Sequence, residues 1–547
     1  MHQAPNFAIY YAGDAYSTKH KIMGRQSAGK AFMKGVARTW PKETIHGTGP
    51  SDLGAQAMMD QLNADGFMGQ VKWSSLPSLT TLNEAGALYY PSPSPKDLAH
   101  LRNTQHPAAF SLMGVTFTLS SAGAMDQVAE LILPPFKPWD ALICISQCAK
   151  DFTLKLHQEM KDWWLAQAGA MRFNTPQLPV ILLGVDAPFF QAQPGDKANA
   201  RQALGVSAQE TLFLFSGRLS FHAKANPAPM YQALEKAAQQ TPIVCVEAGV
   251  FPNEEIKKSY IAAQNLLAPS VRFIWVDGQD NVRYQQAWQG ADVFISLSDN
   301  IQETFGLTPV EAMAAGLPVI VSDWNGYKET VREGIDGYRI PTVLPPQGMA
   351  SDLAMRHALD LDTYDFYIGR SSLATVVEPN ALAQAVLKLA KDPGLRQTMG
   401  AAGQLRANQT FDWPVILNQY AELAGQLAQI REQGFSENAH PWPQRADPFK
   451  RFDHFPTATL QGTWSVQTKP DARVKLKELF SLPMASYALD PHLLPNATIS
   501  ALVAVLEKNS MHTVNSVLVA AGCSTPVGVR SLMWLWKFDL IQISPRL

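Results

Sequence analysis

The stretch from Ala291 to Asp323, ADVFISLSDNIQETFGLTPVEAMAAGLPVIVSD, constrains this chain most. It opens on the apolar run Val293-Phe294-Ile295 and passes through a polar loop from Ser296 to Leu307. A short helical pattern follows, ending at Gly316-Leu317-Pro318 before a second apolar run, Val319-Ile320-Val321. Thr308 suits an N-cap, and Pro309 falls at the first helical position, where a missing N–H leaves no bond unmade. Gly316 suits the residue that closes a helix. Strand, helix and strand with short joints make a βαβ unit, so the spacing predicts a parallel sheet. Such sheets take ligands beyond the carboxyl ends of their strands. The loop with Asp299, Glu303 and Gly306 lies there, and the next helix aims unpaired N–H groups at the same space, which favours an anion.

The rest of the chain repeats this alternation. Phe7–Tyr11, Phe110–Leu119, Asp140–Ser146 and Val180–Asp186 read as strands of a first domain, with helices from Asp126 to Leu133 and from Gln147. Leu212–Leu219, Ile243–Gly249 and Val271–Trp275 read as strands of a second, which Gly337–Ile340 rejoins. The fold class is α/β: two doubly wound, Rossmann-like domains, plus a small, mainly helical C-terminal domain. The boundaries fall at 1–190, 191–410, a closing helix at 411–430, a linker at 431–489 and a last module at 490–547. Residues 342–375 read as a loop-rich insertion.

The spacing of Glu303 and Glu311, with EAMAAGLPVI behind them, resembles the signature of retaining family-4 glycosyltransferases of the GT-B fold, the group 1 enzymes that include glycogen synthase and mannosyltransferases. The resemblance covers about residues 1–430. It implies that Glu303 contacts the sugar of a nucleotide-sugar donor, such as a UDP- or GDP-sugar, and that Glu311 holds the ribose hydroxyls. Thr308-Pro-Val-Glu311 also forms a capping box, which needs no ligand. Leu212-Phe-Leu-Phe-Ser-Gly217-Arg218 ends a strand on Gly-Arg, with Lys224 six residues on. In the family the matching cations grip the diphosphate; two surface cations with no shared task are the plain alternative. Gly217, Phe305, Gly306 and Leu307 complete the implied nucleotide site, and Gly24 belongs to a glycine-rich loop bordering donor and acceptor. The loop SFHAKANPAP departs from the family, because Ala225 and two prolines follow Lys224.

The implied activity is transfer of a hexose to a sugar, lipid or phosphorylated acceptor with retention of configuration, without cofactor or required metal. In many relatives a His of the first domain sits near the reacting carbon. Gly114–Ser120 puts Phe117 there, with His106 and His20 as substitutes. That departure keeps a second reading open, a degenerate glycosyltransferase serving as a scaffold or regulatory binding protein. An NAD-dependent oxidoreductase ranks low, since no G-x-G-x-x-G follows the first strand.

Composition sets the remaining limits. A formal net charge of -2 over 547 residues argues against general nucleic-acid binding. Four cysteines are too few for a disulfide framework, and no apolar run approaches a membrane span. The expectation is a cytoplasmic protein. Its basic segment 19–38 reads either as a solvated face, with Lys30, Lys34 and Arg38 on one helical side, or as peripheral contact with acidic headgroups of the inner membrane. Three helices at 496–508, 513–522 and 526–536, followed by Phe538–Ile543, resemble a winged helix. From Asp490 on, four cations face three acids, with no basic stripe, so a protein partner is expected there rather than nucleic acid.

Overall fold

The computed structural model describes residues 4–16, 24–193, 195–434, 437–487, 492–508 and 512–545. They form two compact units, 1–442 and 443–547. The first contains two six-stranded sheets. One comprises β1 (Ala8–Tyr10), β2 (Thr44–Gly49), β3 (Gln70–Ser75), β4 (Ala87–Tyr90), β5 (Ser111–Val115) and β6 (Ala141–Ile143). The other comprises β7 (Thr211–Ser216), β8 (Ile243–Gly249), β9 (Arg272–Asp277), β10 (Val293–Ser296), β11 (Val319–Ser322) and β12 (Gly337–Ile340). Their orders, β3-β2-β1-β4-β5-β6 and β12-β11-β10-β7-β8-β9, are one topology used twice, and the pairings are parallel. In each, the chain builds outward on one side, returns to the centre and builds the other side. The reversal lies between β1 and β4 in the first sheet and between β7 and β10 in the second. Central strands such as Thr211–Ser216 are buried at every residue, as a parallel sheet covered on both faces requires.

Helix α1 (Gly24–Thr39) follows the loop after β1. Helix α2 (Gln147–Ala168) begins where expected because the Ser146 side chain accepts the Ala149 amide at 3.1 Å. Helix α3 (Leu307–Ala314) lies in the central unit, and α4 (Tyr364–Leu373) lies in the insertion. The insertion is more ordered than expected. Its ends are pinned by an antiparallel pair, β13 (Thr342–Val343) and β14 (Val376–Val377), and it holds a second helix, Ser351–Ala358. Helix α5 (Trp413–Glu432) buries Trp413, Ile416, Tyr420 and Leu427 in the same core as Phe7, Phe32 and Val36, so it returns to the first sheet domain.

Three expectations are corrected. Val180–Asp186 is not a strand: it makes isolated bridges, Val180 to Cys144 and Val185 to Asp412. It spans two partners in turn, and the crowding at Gly184, where a Cβ would meet the Trp413 ring at 2.3 Å, marks a crossing between domains rather than a sheet position. The first-domain helix runs Ala122–Ala129, capped by Ser121, instead of 126–133. Lys34 and Arg38 do not form an unpaired basic face. Lys34 pairs with Asp186 at 2.6 Å, and Arg38 donates to Asp186 at 2.8 Å and to Asp412. One guanidinium thus clasps both chain crossings, since the Val185 amide donates to Phe411 O at 2.8 Å beside it. Lys30 is exposed; Lys19, His20 and Lys21 lie outside the described residues.

The second unit has a three-stranded antiparallel sheet, β15 (Ser465–Thr468), β16 (His512–Thr513) and β17 (Ile541–Ser544), in the order β16-β15-β17. Its helices are α6 (Ala472–Ser481), α7 (Asn496–Lys508), α8 (Val514–Ala520) and α9 (Pro526–Lys537). Its core takes in Val466, Ala472 and Leu476, which the sequence reading assigned to a linker. Trp534 is buried in that core and donates to Ala485 O at 3.0 Å, while Trp536 is half-buried at its edge.

Candidate active site

The loops after β7 and β10 meet at the reversal point of the second sheet, the crevice where such sheets take ligands. Arg218 and Lys224 follow β7; Glu303 follows β10, and Glu311 lies on α3. Gly217 makes the turn possible, at φ 151°, and the side-chain carbons of Lys224 pass 3.5 Å from where its Cβ would be. Despite the unusual loop, Lys224 reaches the site. Its Nζ lies 2.5 Å from Glu303 Oε2, with the two side chains 16% and 15% exposed. Burial opposes charge on both, and their mutual attraction outweighs it: Lys224 is raised and Glu303 lowered. The Thr304 and Phe305 amides add to the stabilisation of the Glu303 carboxylate. Arg218 donates from Nη2 to Gln302 Oε1 at 2.7 Å and to Ala223 O at 3.0 Å.

Glu311 contrasts with Glu303. Burial pushes its carboxyl up to about 7, with only the charge of Lys224 working the other way. The capping box predicted for it does not form. Helix α3 starts two residues earlier than expected, its N-cap is Gly306 at φ 91°, and the Thr308 hydroxyl is buried without a partner. Gly306 is required for two reasons. Its backbone is left-handed, and a Cβ would sit 1.9 Å from the Tyr327 ring. That ring lies beneath the loop and its hydroxyl lies 3.0 Å from Ser296 Oγ. With the cap role gone, Glu311 is a half-buried acid with no structural task in the helix end.

Phe305 is buried, its ring 6.3 Å from that of Phe411, and Leu307 packs half-buried on the same core. Their side chains pack on the core and brace the loop. Gly24 is the first residue of α1 in the first sheet domain. Phe117 is also packed on a core. His106 accepts the Ala108 amide at 3.1 Å, a local turn contact, and His20 lies outside the described residues. Among the described residues no group of three or more His, Cys, Asp or Glu side chains could hold a metal ion, and no helix is long and apolar enough to cross a membrane.

Sequence reasoning missed the groups that link the two sheet domains here. Tyr364 on α4 lies 2.7 Å from Ser120 Oγ and 3.1 Å from Thr118 Oγ1, in the loop after β5, and 3.3 Å from Gln302 Nε2. Glu329 accepts the Gln147 amide at 2.6 Å, at the start of α2. A single tyrosine inside an apparent loop offers no periodicity to read.

Residues 196–354 match the family described as glycosyl transferases group 1. A D-inositol 3-phosphate glycosyltransferase from Mycobacterium sp. (strain KMS) is 31% identical over 164 residues, 29% of this chain and 35% of that protein. A phosphatidyl-myo-inositol mannosyltransferase from Mycobacterium tuberculosis (strain ATCC 25618 / H37Rv) is 27% identical over 277 residues, 50% of this chain and 59% of that protein. The chain thus spans less than two thirds of these curated relatives. Among solved structures, Anabaena Alr3699/HepE in complex with UDP superposes with a TM-score of 0.52 at 18% identity, covering 77% of this chain and 99% of the other. A Rickettsia africae glycosyltransferase gives 0.51 at 12% identity, covering 77% and 98%. The chain has the GT-B architecture of two facing Rossmann-like domains, and its residues 196–354 match the group 1 glycosyl transferase family.

Proposed function

We propose that the chain transfers a sugar from a nucleoside diphosphate, UDP or GDP, to a hydroxyl of a sugar, lipid or phosphorylated acceptor, with retention of configuration. The observation that carries this is the convergence of Arg218, Lys224, Glu303 and Glu311 on one crevice. Arg218 and Lys224 neutralise the diphosphate and stabilise the charge that grows on it as the sugar leaves. Once the diphosphate recruits Lys224, Glu303 is released to accept hydroxyls of the donor sugar. Glu311 accepts from the ribose. In front-face displacement the acceptor oxygen bonds to the anomeric carbon, the bond to the phosphate oxygen breaks, and the acceptor proton passes to the leaving diphosphate. No protein nucleophile is needed, so a core-packed Phe117 is compatible with turnover. The two cations do the neutralising, and the reading includes turnover without a divalent metal.

Calorimetry with UDP and GDP, followed by assays of UDP- and GDP-sugars with and without EDTA, tests the reading. Binding of one nucleotide, turnover that survives EDTA and a product with the donor's anomeric configuration are expected. Failure to bind either nucleotide overturns it.

The second unit is assigned to protein contact rather than nucleic acid. Starting it at Pro443 brings in seven cations, three of them on α6, against four acids, but Arg473 pairs with Glu507 at 2.6 Å and Lys469 pairs with Asp539. Fluorescence anisotropy with random duplex at low salt is expected to show no binding. Micromolar binding that fades with salt would reverse the assignment.

A further inference from the structure

The insertion between β13 and β14 meets the site through helix α4, where Tyr364 reaches Gln302 and Ser372 hydrogen-bonds Asp299. Helix α4 is held firmly: Thr363 caps it by accepting the Phe366 amide, and Asp362 beside the cap takes Arg356 at 2.9 Å and Arg370 at 3.0 Å. It packs on the loop that carries Lys224. Ile368 and Ser372 are buried, and a Cβ on Gly369 would come within 3.0 Å of the His222 Cβ. Tyr364, in its first turn, therefore meets the site at a fixed place.

The polarity of the contacts there follows from their chemistry. A guanidinium only donates, so Gln302 must turn Oε1 to Arg218, which leaves Nε2 to donate to the Tyr364 oxygen. The Tyr364 hydroxyl also pairs with Ser120 Oγ at 2.7 Å and Thr118 Oγ1 at 3.1 Å, contacts in which either oxygen can donate. A continuous hydrogen-bonded chain runs from Arg218 through Gln302 and Tyr364 to Ser120. It starts at a cation of the second sheet domain and ends on a loop of the first. With Nη2 tied to Gln302 and Ala223, the Nε and Nη1 groups of Arg218 are left for a ligand.

We propose that Tyr364 is a positioning residue that ties the aim of Arg218 to the docking of the 118–120 loop across the cleft. The terminal torsion of a glutamine is broad. Without Tyr364, the Gln302 carboxamide turns freely and stops orienting the guanidinium. When the first domain swings away, the chain breaks at Ser120 and Thr118, so Arg218 is aimed fully only in the closed cleft. A device supplied by the insertion thereby makes the grip on the diphosphate sensitive to the opposite domain. This rests on the donor-site reading of Arg218.

The test is UDP binding, with GDP in parallel, to the full chain by calorimetry. It compares wild type, Tyr364→Phe, the double variant Ser120→Ala with Thr118→Val, Arg218→Ala, and their combinations. Tyr364→Phe and the loop variant should each weaken binding about fivefold, the scale of one orienting hydrogen bond, and together no more than either alone. In the Arg218→Ala background neither should change affinity further, whereas a merely structural role for Tyr364 would persist there. Additive losses on top of Arg218→Ala overturn the proposal. So does wild-type affinity in both Tyr364→Phe and the loop variant while Arg218→Ala binds weakly, an outcome that leaves the donor site standing. If wild type binds neither nucleotide, the donor-site reading falls and this inference falls with it.

Discussion

At the reversal point of the first sheet, β1 and β4 end in Tyr10 and Tyr90, with ring centroids 4.9 Å apart. At the matching point of the second, β7 and β10 lead into Arg218, Lys224 and Glu303. The strand order is the same and the chemistry is not. Burial, then Asp14 and Asp97, raise the Tyr10 hydroxyl above its usual range, and both rings pack partly buried on the core of that domain, so the first reversal point is bordered by aromatic rings beside acids. The second offers paired and hydrogen-bonded charge suited to a diphosphate. The topology specifies where a ligand can sit in each domain, and the loops decide which ligand.

The largest effect expected is at Glu303. Glu303→Gln should lower turnover of the donor by about 10²–10³, the scale of losing one preorganised electrostatic contact, while nucleotide affinity stays within a few-fold. Arg218→Ala and Lys224→Ala should each reduce turnover by a larger factor than they raise the Michaelis constant, because charge grows on the diphosphate as the sugar leaves. Steady-state kinetics and nucleotide titration of the same proteins check both. If all three lost only ground-state affinity, the second crevice would hold the donor without assisting its departure.

Glu311 should act on affinity and stability instead. Its carboxyl titrates at about 7, and the ionised form is the better acceptor for ribose hydroxyls. Nucleotide affinity should therefore rise with pH through 7, and Glu311→Gln should weaken UDP roughly tenfold at pH 8 and much less at pH 6. The stability effect has the opposite sign. The folded pKa lies above the ordinary carboxylate value, so the native state binds more protons than the unfolded state from the usual carboxylate range up to about 7. Stability is lost as pH rises through that window. Glu311→Gln should thus stabilise the free protein at pH 8 by roughly 1–3 kcal/mol and lose that advantage toward pH 4, as urea unfolding at the two pH values would show. A destabilised variant at pH 8 would mean that the carboxylate has a partner role after all.

The two crevices were not equally legible. The second was written in contiguous strings: a buried strand ending on Gly217-Arg218, and the loop from Ser296 to Leu307 with its glycine before a helix. Local rules read such strings well, because turn geometry and strand ends are short-range. They misjudged the start of α3, where Thr308 offered a standard cap but the chain used the left-handed Gly306, which the Tyr327 ring beneath it demands. That ring is twenty-one residues away from Gly306 in sequence, beyond any local pattern. The basic face of α1 failed for the same reason: Lys34 and Arg38 look solvated until Asp186 and Asp412 arrive from the domain crossings. The boundary at Asp490 failed because a core strand, Ser465–Thr468, pairs with the end of the chain.

The smallest effect sharpens the comparison most. Tyr90→Leu removes an aromatic face from the first crevice while keeping an apolar side chain at the end of β4, where Tyr90 is half-buried. If donor chemistry belongs to the second crevice alone, UDP affinity should change less than about twofold, the scatter expected for a site with no shared partner. Turnover should fall because the acceptor is held less well: an aromatic face contributes about 0.5–1.5 kcal/mol beyond its buried area. The loss should appear at low acceptor concentration and shrink at saturation. A large loss of UDP affinity would show that the nucleotide spans both crevices. The shared strand order would then serve one extended ligand site rather than a donor half and an acceptor half.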